Sequence, residues 1–388
     1  MAKKRTTRKA RVGFRQNRQV RRRSDEWTRQ YRAEEEQLED TELSESVRAK
    51  GALSRKRTIL VDENDAPIVD ELHWRRGRVT KVHGRVCFVN DDEHRAWECT
   101  VRRVLRTLLI ESRAPVAVGD RVWFSMHPEL SDGHPVGVIE RVEERITRLS
   151  RRDRRKREHT IVANANQLLA VVSIAQPRLR PHLVDRYIVA ALKGELHPVL
   201  CFNKIDLLRE DLVTEDDDDR QTGLRVQDVI AEFRDLGYEC LPTSAVTGEG
   251  IDELQAVLKD RVTVLAGQSG VGKSSLINLV QPGLNLVTRD VSEENEKGRH
   301  TTTLAELLPL DSGGYVVDTP GIRAFDLWSV EPGELEAYFV EFVPHIPNCH
   351  FGDCSHRRED GCAVIAAVEK GEITERRYYS YLKMFDEV

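Results

Sequence analysis

The sequence predicts a multidomain chain: an N-terminal OB-type β-barrel, a central α/β P-loop domain and a C-terminal helical metal-binding domain. Three observations carry that prediction. Five short runs of alternating apolar and polar residues lie between about Trp74 and Thr147. A glycine-rich run, GQSGVGKSS at 267–275, follows an apolar strand-like run and precedes the apolar run LINLV. Three cysteines and a histidine then cluster within 14 residues, Cys349-x4-Cys354-x-His356-x5-Cys362.

Length and charge bound the reading. At roughly 150 residues per domain, 388 residues make two to three domains. The formal net charge of −5 hides an asymmetry, because residues 1–32 hold 13 Lys/Arg against 2 Asp/Glu and the remainder is acidic. The acidic stretch AEEEQLEDTELSES follows this basic run. Such blocks bury too little apolar surface to offset ordering entropy, so residues 1–70 are expected to form a mobile extension. A cluster of cations of this kind can neutralise RNA phosphates without a fold. No run of about 18 apolar residues occurs, and the basic N-terminus lacks a following apolar segment, which excludes a membrane span and a secretory signal. Seven cysteines, an odd number without a signal, fit a reducing compartment better than a disulfide framework. A soluble, cytoplasmic protein is expected.

Within 71–150, the runs 77–83, 85–91, 95–103, 120–126 and 137–145 read as strands from their period-2 alternation and β-branched content. Five strands in this span fit a small closed barrel, a type that often binds nucleic acid on one face; an SH3-like barrel would read almost the same. From 151 to 335 the texture changes to buried strands, QLLAVVSIAQP (167–177) and HPVLCFNKIDLL (197–208) among them, with LVDRYIVAALKGE between as a helix ending at Gly194. Continuous apolar strands alternating with amphipathic helices make a mostly parallel sheet. The acidic run Glu215–Asp219 reads as a solvated loop insertion.

The run Gly267, Gln268, Ser269, Gly270, Val271, Gly272, Lys273, Ser274 and Ser275 matches the P-loop pattern in the strand–loop–helix context that the pattern requires. Its glycines let backbone N–H groups wrap phosphates, Lys273 would reach the β and γ phosphates, and Ser274 would hold Mg²⁺. Asn203-Lys204-Ile205-Asp206 ends a strand. A carboxylate at Asp206 accepts both N1–H and the exocyclic amine of guanine, two donors that adenine does not offer together. Thr243-Ser244-Ala245 supplies a second strand-end loop of the kind found beside a guanine base. Asp318-Thr319-Pro320-Gly321 suits a water-mediated Mg²⁺ contact through Asp318 and a γ-phosphate contact through the Gly321 N–H. GRHTTT at 298–303 suits a switch in which Thr301 or Thr302 ligates Mg²⁺.

The order of these loops is unusual. The base-recognition loops precede the P-loop, so the domain reads as a circularly permuted P-loop GTPase, with GTP and magnesium as the substrate complex. Opening the chain elsewhere preserves all the loops at the carboxyl edge of the sheet. Ile322 stands where Ras-like GTPases carry a water-orienting Gln, which predicts slow intrinsic hydrolysis assisted by His300, Arg299 or a partner's group. In the last stretch, 336–388, Cys349, Cys354, His356 and Cys362 make a closed tetrahedral set suited to one structural zinc ion, with His345 and His350 as competitors for the imidazole position. The chain then reads as a helix, a turn at Gly371 and a second helix.

These residues resemble the RsgA (YjeQ) family of GTPases that depend on the small ribosomal subunit. The resemblance covers roughly 74–388 and rests on NKID, TSA, GQSGVGKSSLIN, GRHTTT, DTPGIRAF, the Cys/His spacing and RRYYSYL near the end. It implies an OB barrel, a permuted GTPase and a zinc domain. It also implies a late assembly factor that binds the small subunit and its rRNA, hydrolyses GTP under its stimulation and leaves. No membrane partner is expected, and a monomer is. The alternative is a regulatory GTP-binding switch with a protein partner and no RNA contact.

Overall fold

A computed structural model describes residues 8–13, 56–61, 70, 72–102, 105, 116–131, 134–152, 158–216, 221–284, 305–318 and 330–388. The chain divides into two compact units, 1–146 and 147–388. Among the described residues, no helix is long and apolar enough to cross a membrane.

In the first unit, β1 (Arg8–Gly13) pairs antiparallel with β2 (Lys56–Val61). The rest of the expected N-terminal extension lies outside the described residues. The barrel follows: β3 (Trp74–His83), β4 (Val86–Asp91), β5 (Ala96–Val101), β6 (Arg121–Ser131) and β7 (His134–Val142). All five expected strands are present. Their order is β3-β4-β5-β7-β6, and β3 pairs with β6 to close the barrel. The β5–β7 pair is parallel and the others are antiparallel, which is the OB connectivity. Alternation sends Val79, Val89, Cys99, Val122, Phe124 and Ile139 inward, and Trp97 stacks against Phe124 at 5.3 Å between ring centroids.

The second unit opens with a hairpin, β8 (Arg148–Arg152) and β9 (Glu158–Ala163), which the basic sequence of this stretch conceals. Its main sheet runs β12 (Glu239–Thr243), β11 (His197–Asn203), β10 (Gln167–Ser173), β13 (Val262–Ala266), β15 (Tyr315–Asp318) and β14 (Glu306–Pro309). All neighbours are parallel except β14–β15. Pro242 is tolerated in β12 because that strand lies at the sheet edge. The helices are α1 (Pro181–Lys193), α2 (Val226–Asp235), α3 (Ile251–Leu258), α4 (Lys273–Val280), α5 (Ala363–Glu369) and α6 (Glu375–Glu387). Gly194 follows α1 and Gly371 turns the chain between α5 and α6, as the sequence predicts.

Two apolar clusters organise this unit. Leu169, Val171, Val199, Cys201, Leu265, Leu276 and Ile277 hold α4 against the sheet. Phe339, Phe342, Tyr381 and Met384 form the core of the C-terminal segment, and Val189 of α1 packs into the same cluster. The acidic run at 215 differs from its expected role. Asp216 has a buried side chain, and its Oδ2 accepts the His182 N–H at 3.0 Å, so it caps the first turn of α1 instead of remaining solvated.

Candidate functional site

The carboxyl edge of the sheet is where the NKID loop and the glycine-rich loop meet. Ser173, Asn203 and Thr243 occupy one register row across β10, β11 and β12. The buried Asn203 donates from Nδ2 to the Val271 carbonyl at 2.7 Å, which ties the NKID loop directly to the glycine-rich loop. Thr243 Oγ1 donates to Asn203 Oδ1 at 3.4 Å and lies 3.2 Å from Cys201 Sγ. Burial pushes the Cys201 thiol up to about 12, against a smaller opposing effect of the Thr243 hydrogen bond, so the sulfur stays neutral.

Asp206 sits in a short 3-10 turn, Ile205–Leu207. Ser244 Oγ donates to its Oδ1 at 2.5 Å, while the same hydroxyl accepts the N–H groups of Val246 (3.2 Å) and Thr247 (3.1 Å). The carboxylate is thereby fixed by a turn that is itself fixed. Lys204 adopts a left-handed conformation and its ammonium donates to the Gln176 carbonyl. Burial lowers the Lys204 pKa, and the nearby Asp206 works against that shift. Ala245 packs against the apolar cluster beneath the sheet edge.

The glycine-rich loop needs its glycines for two close approaches. Gly267 has φ 144° and a Cβ there would meet the Val171 carbonyl oxygen at 2.2 Å. Gly272 has φ 96° and a Cβ there would meet Asn203 Nδ2 at 2.3 Å. Gly272 is also the N-cap of α4, so Lys273, Ser274 and Ser275 form the first turn, whose amides face outward along the helix dipole. Lys273 Nζ donates to the carbonyls of Gly267 at 2.6 Å and Gln268 at 2.7 Å, which holds the cation inside the loop. Ser269 is exposed at the loop tip, Gly270 is left-handed and Val271 is buried. Such a cradle can take a polyphosphate, and the carboxylate beside it can read a purine edge. Asp318 ends β15, the parallel neighbour of β13 from which the cradle springs. His300, Thr301, Thr302 and Gly321 lie outside the described residues.

Cys349, Cys354, His356 and Cys362 come together, with their ligand atoms all within 4.8 Å of one another. His356 Nδ1 lies 3.6 Å from Cys349 Sγ and 3.3 Å from Cys362 Sγ, and the two sulfurs are 4.0 Å apart. Burial first, and then the crowding Cys362 and Cys349 sulfurs, push the Cys354 thiol up to about 12. Three sulfurs this close resist becoming thiolates together unless a cation offsets their repulsion, and a soft S₃N donor set fits zinc. His345 and His350, the competing imidazoles, are not in the cluster.

Sequence reasoning missed the shell around these ligands. His356 Nε2 is 2.5 Å from Glu336 Oε2, a carboxylate twenty residues upstream with no spacing signal to mark it. Tyr378 Oη donates to the His356 carbonyl at 2.8 Å and Tyr381 Oη to that of Ser355 at 3.0 Å. The Glu359 carboxylate accepts from Ser355 N and Oγ, Arg357 N and Arg358 N. Burial would raise its pKa, but these hydrogen bonds hold it far below the usual carboxylate range. The tyrosines belong to the RRYYSYL segment, so that motif buttresses the Cys349–Cys362 knuckle that carries the Cys/His cluster.

The same segment joins the knuckle to α1. Asp185, fully buried, accepts from Arg376 Nη1 at 2.8 Å and Arg377 Nη1 at 2.6 Å, and also from Ser380 Oγ. Arg377 turns its other edge to Glu341 at 2.5 and 3.1 Å.

Comparison with known proteins agrees with this geometry. The family described as RsgA GTPase matches residues 142–328. A Bacteroides fragilis protein named small ribosomal subunit biogenesis GTPase RsgA is 37% identical over 314 residues, covering 80% of this chain and 96% of that protein. A protein of the same name from Chlorobaculum tepidum is 44% identical over 278 residues, covering 70% and 85%. The crystal structure of YjeQ from Thermotoga maritima superposes with a TM-score of 0.62 at 38% identity, covering 81% of this chain and 98% of that one. YloQ, described as a circularly permuted GTPase, superposes with a TM-score of 0.61 at 27% identity over 83% and 97%. With the permuted loop order, the closed barrel and the Cys/His cluster all in place, the chain belongs to the RsgA GTPase family.

Proposed function

We propose that this GTPase is a late assembly factor of the small ribosomal subunit, acting in the cytoplasm as a monomer. The observation that carries the GTP site is the Asn203–Val271 hydrogen bond, which joins a guanine-type loop to a phosphate-type loop at one sheet edge, and the ribosomal role is supported by the relatives named small ribosomal subunit biogenesis GTPase. In this reading Asn203, Lys204, Ile205, Asp206, Ser244 and Ala245 take the base, and Gly267 to Ser275 take the phosphates. Lys273 neutralises the β and γ oxygens, Ser274 holds magnesium, and Asp318 adds a water-mediated magnesium contact. The Gly321 N–H, Thr301 or Thr302, and His300 complete the γ-phosphate end.

Cys349, Cys354, His356 and Cys362 hold one zinc ion, whose contribution is to crosslink the 349–362 loop beside the C-terminal core. Three functional parts follow: a barrel over 71–150, a GTPase domain over 151–335 and a zinc domain over 336–388. The barrel, the zinc domain and the basic stretch at 1–32 grip rRNA, and hydrolysis releases the protein. Ile322 in place of a water-orienting Gln leaves catalysis incomplete until the subunit stimulates it.

Co-sedimentation with purified small subunits tests the reading. Binding should be strong with a non-hydrolysable GTP analogue, weaker with GDP, and should fall steeply with salt as phosphate contacts require. Binding that ignores salt would favour a switch with a protein partner. No binding in either nucleotide state would overturn the assembly role.

A further inference from the structure

The loop between β10 and α1 belongs to no motif of the sequence, yet it borders the base loop. Ser173 ends β10 beside Asn203, and the Ile174 N–H donates to the Asn203 carbonyl at 3.2 Å. The Ser173 hydroxyl is buried and accepts the N–H groups of Ala175 at 3.4 Å and Gln176 at 3.1 Å. That turn presents the Gln176 carbonyl outward, and this carbonyl takes the Lys204 ammonium. At the far end, the buried Leu179 accepts the Glu215 N–H at 3.0 Å through its carbonyl. The loop is therefore pinned at both ends, with the Gln176 carbonyl bonded to the lysine of the NKID motif.

A lysine with four methylenes and no anchor samples many rotamers, and fixing it on ligand binding costs side-chain entropy. An anchor that is present before the nucleotide arrives removes most of that cost. Ser244 does the same for Asp206 and Thr243 for Asn203, so each polar member of the base loop has its own support.

We propose that Ser173 is a positioning residue for guanine binding: its hydroxyl shapes the 174–177 turn so that the Gln176 carbonyl holds Lys204 as a preformed wall of the base site. This rests on the assignment of the NKID loop to guanine.

A double-mutant cycle on the full chain tests it, with the dissociation rate of a fluorescent GDP analogue as the readout. Ser173→Ala should speed dissociation about fivefold, the worth of one buried hydrogen bond. Lys204→Ala should speed it at least as much, and adding Ser173→Ala to Lys204→Ala should change nothing further. Ser173→Thr, which keeps the hydroxyl, should restore most of the wild-type rate. An unchanged rate in Ser173→Ala, or an equal effect with and without Lys204, would overturn the proposal. If wild-type protein does not bind the GDP analogue, the guanine assignment itself fails, a result distinguishable from either.

Discussion

His356 turns Nδ1 to the cysteine sulfurs and Nε2 to Glu336 Oε2 at 2.5 Å. One ring thus faces the cysteine sulfurs on one side and a carboxylate on the other, which would fix the tautomer and raise the basicity of Nδ1 toward a metal ion. Glu336→Gln keeps the shape and removes the charge. Zinc affinity should fall about 10–100-fold, read by competition with a chromophoric chelator. Unchanged zinc retention would make Glu336 a bystander.

Asp206 is held by Ser244 beside the glycine-rich loop. Asp206→Asn reverses the polarity presented to the base edge, exchanging an acceptor for a donor. Preference should move from guanosine to xanthosine nucleotides by about two orders of magnitude, as expected when a site rejects a mismatched donor set. Competition between GTP and XTP against a fluorescent nucleotide measures the shift, and retained GTP selectivity would refute the base contact.

Asn203 is a strut between two loops. Asn203→Ala leaves the Val271 carbonyl without its side-chain donor and frees the glycine-rich loop from the base loop. Affinity for both GTP and GDP should drop by about 5- to 150-fold, since losing a buried partner costs about 1–3 kcal/mol. Titration calorimetry reads both nucleotides; an effect confined to one would point to a γ-phosphate contact and contradict the strut.

Burial would raise the pKa of Asp185, but Arg376 and Arg377, with help from Ser380, hold it below its ordinary value of 3.8. A carboxyl depressed in the folded state contributes stability above that value and loses it as pH falls below it. Asp185→Asn removes the buried charge that Arg376 and Arg377 share, leaving them Glu232 and Glu341 alone, and should cost about 3 kcal/mol near pH 7. Denaturant unfolding at pH 7 and at pH 3 compares the two chains. The gap should shrink at pH 3, and an equal gap would mean that the native carboxyl is not charged.

The five barrel strands, the buried strands of the parallel sheet and the clustering of the three cysteines with His356 were all legible, because each is encoded within a local pattern of alternation or spacing. What escaped is support that arrives from distant sequence. Glu336 behind His356, Thr243 behind Asn203 and Asp216 under α1 are polar residues whose partners only folding supplies. Asp216 misleads most, since its acidic neighbours give it the look of a solvated loop. The β8–β9 hairpin hides for a related reason: its Arg-rich sequence lacks clean alternation, and pairing rather than propensity makes the strands.

GTP turnover with and without purified small ribosomal subunits tests the ribosome-coupled reading most directly. Intrinsic turnover should be slow, because Ile322 cannot orient water. Added subunits should raise it by about 10³-fold, the order of gain when a partner completes a P-loop active site. Turnover that is fast alone, or unchanged by subunits, would contradict it.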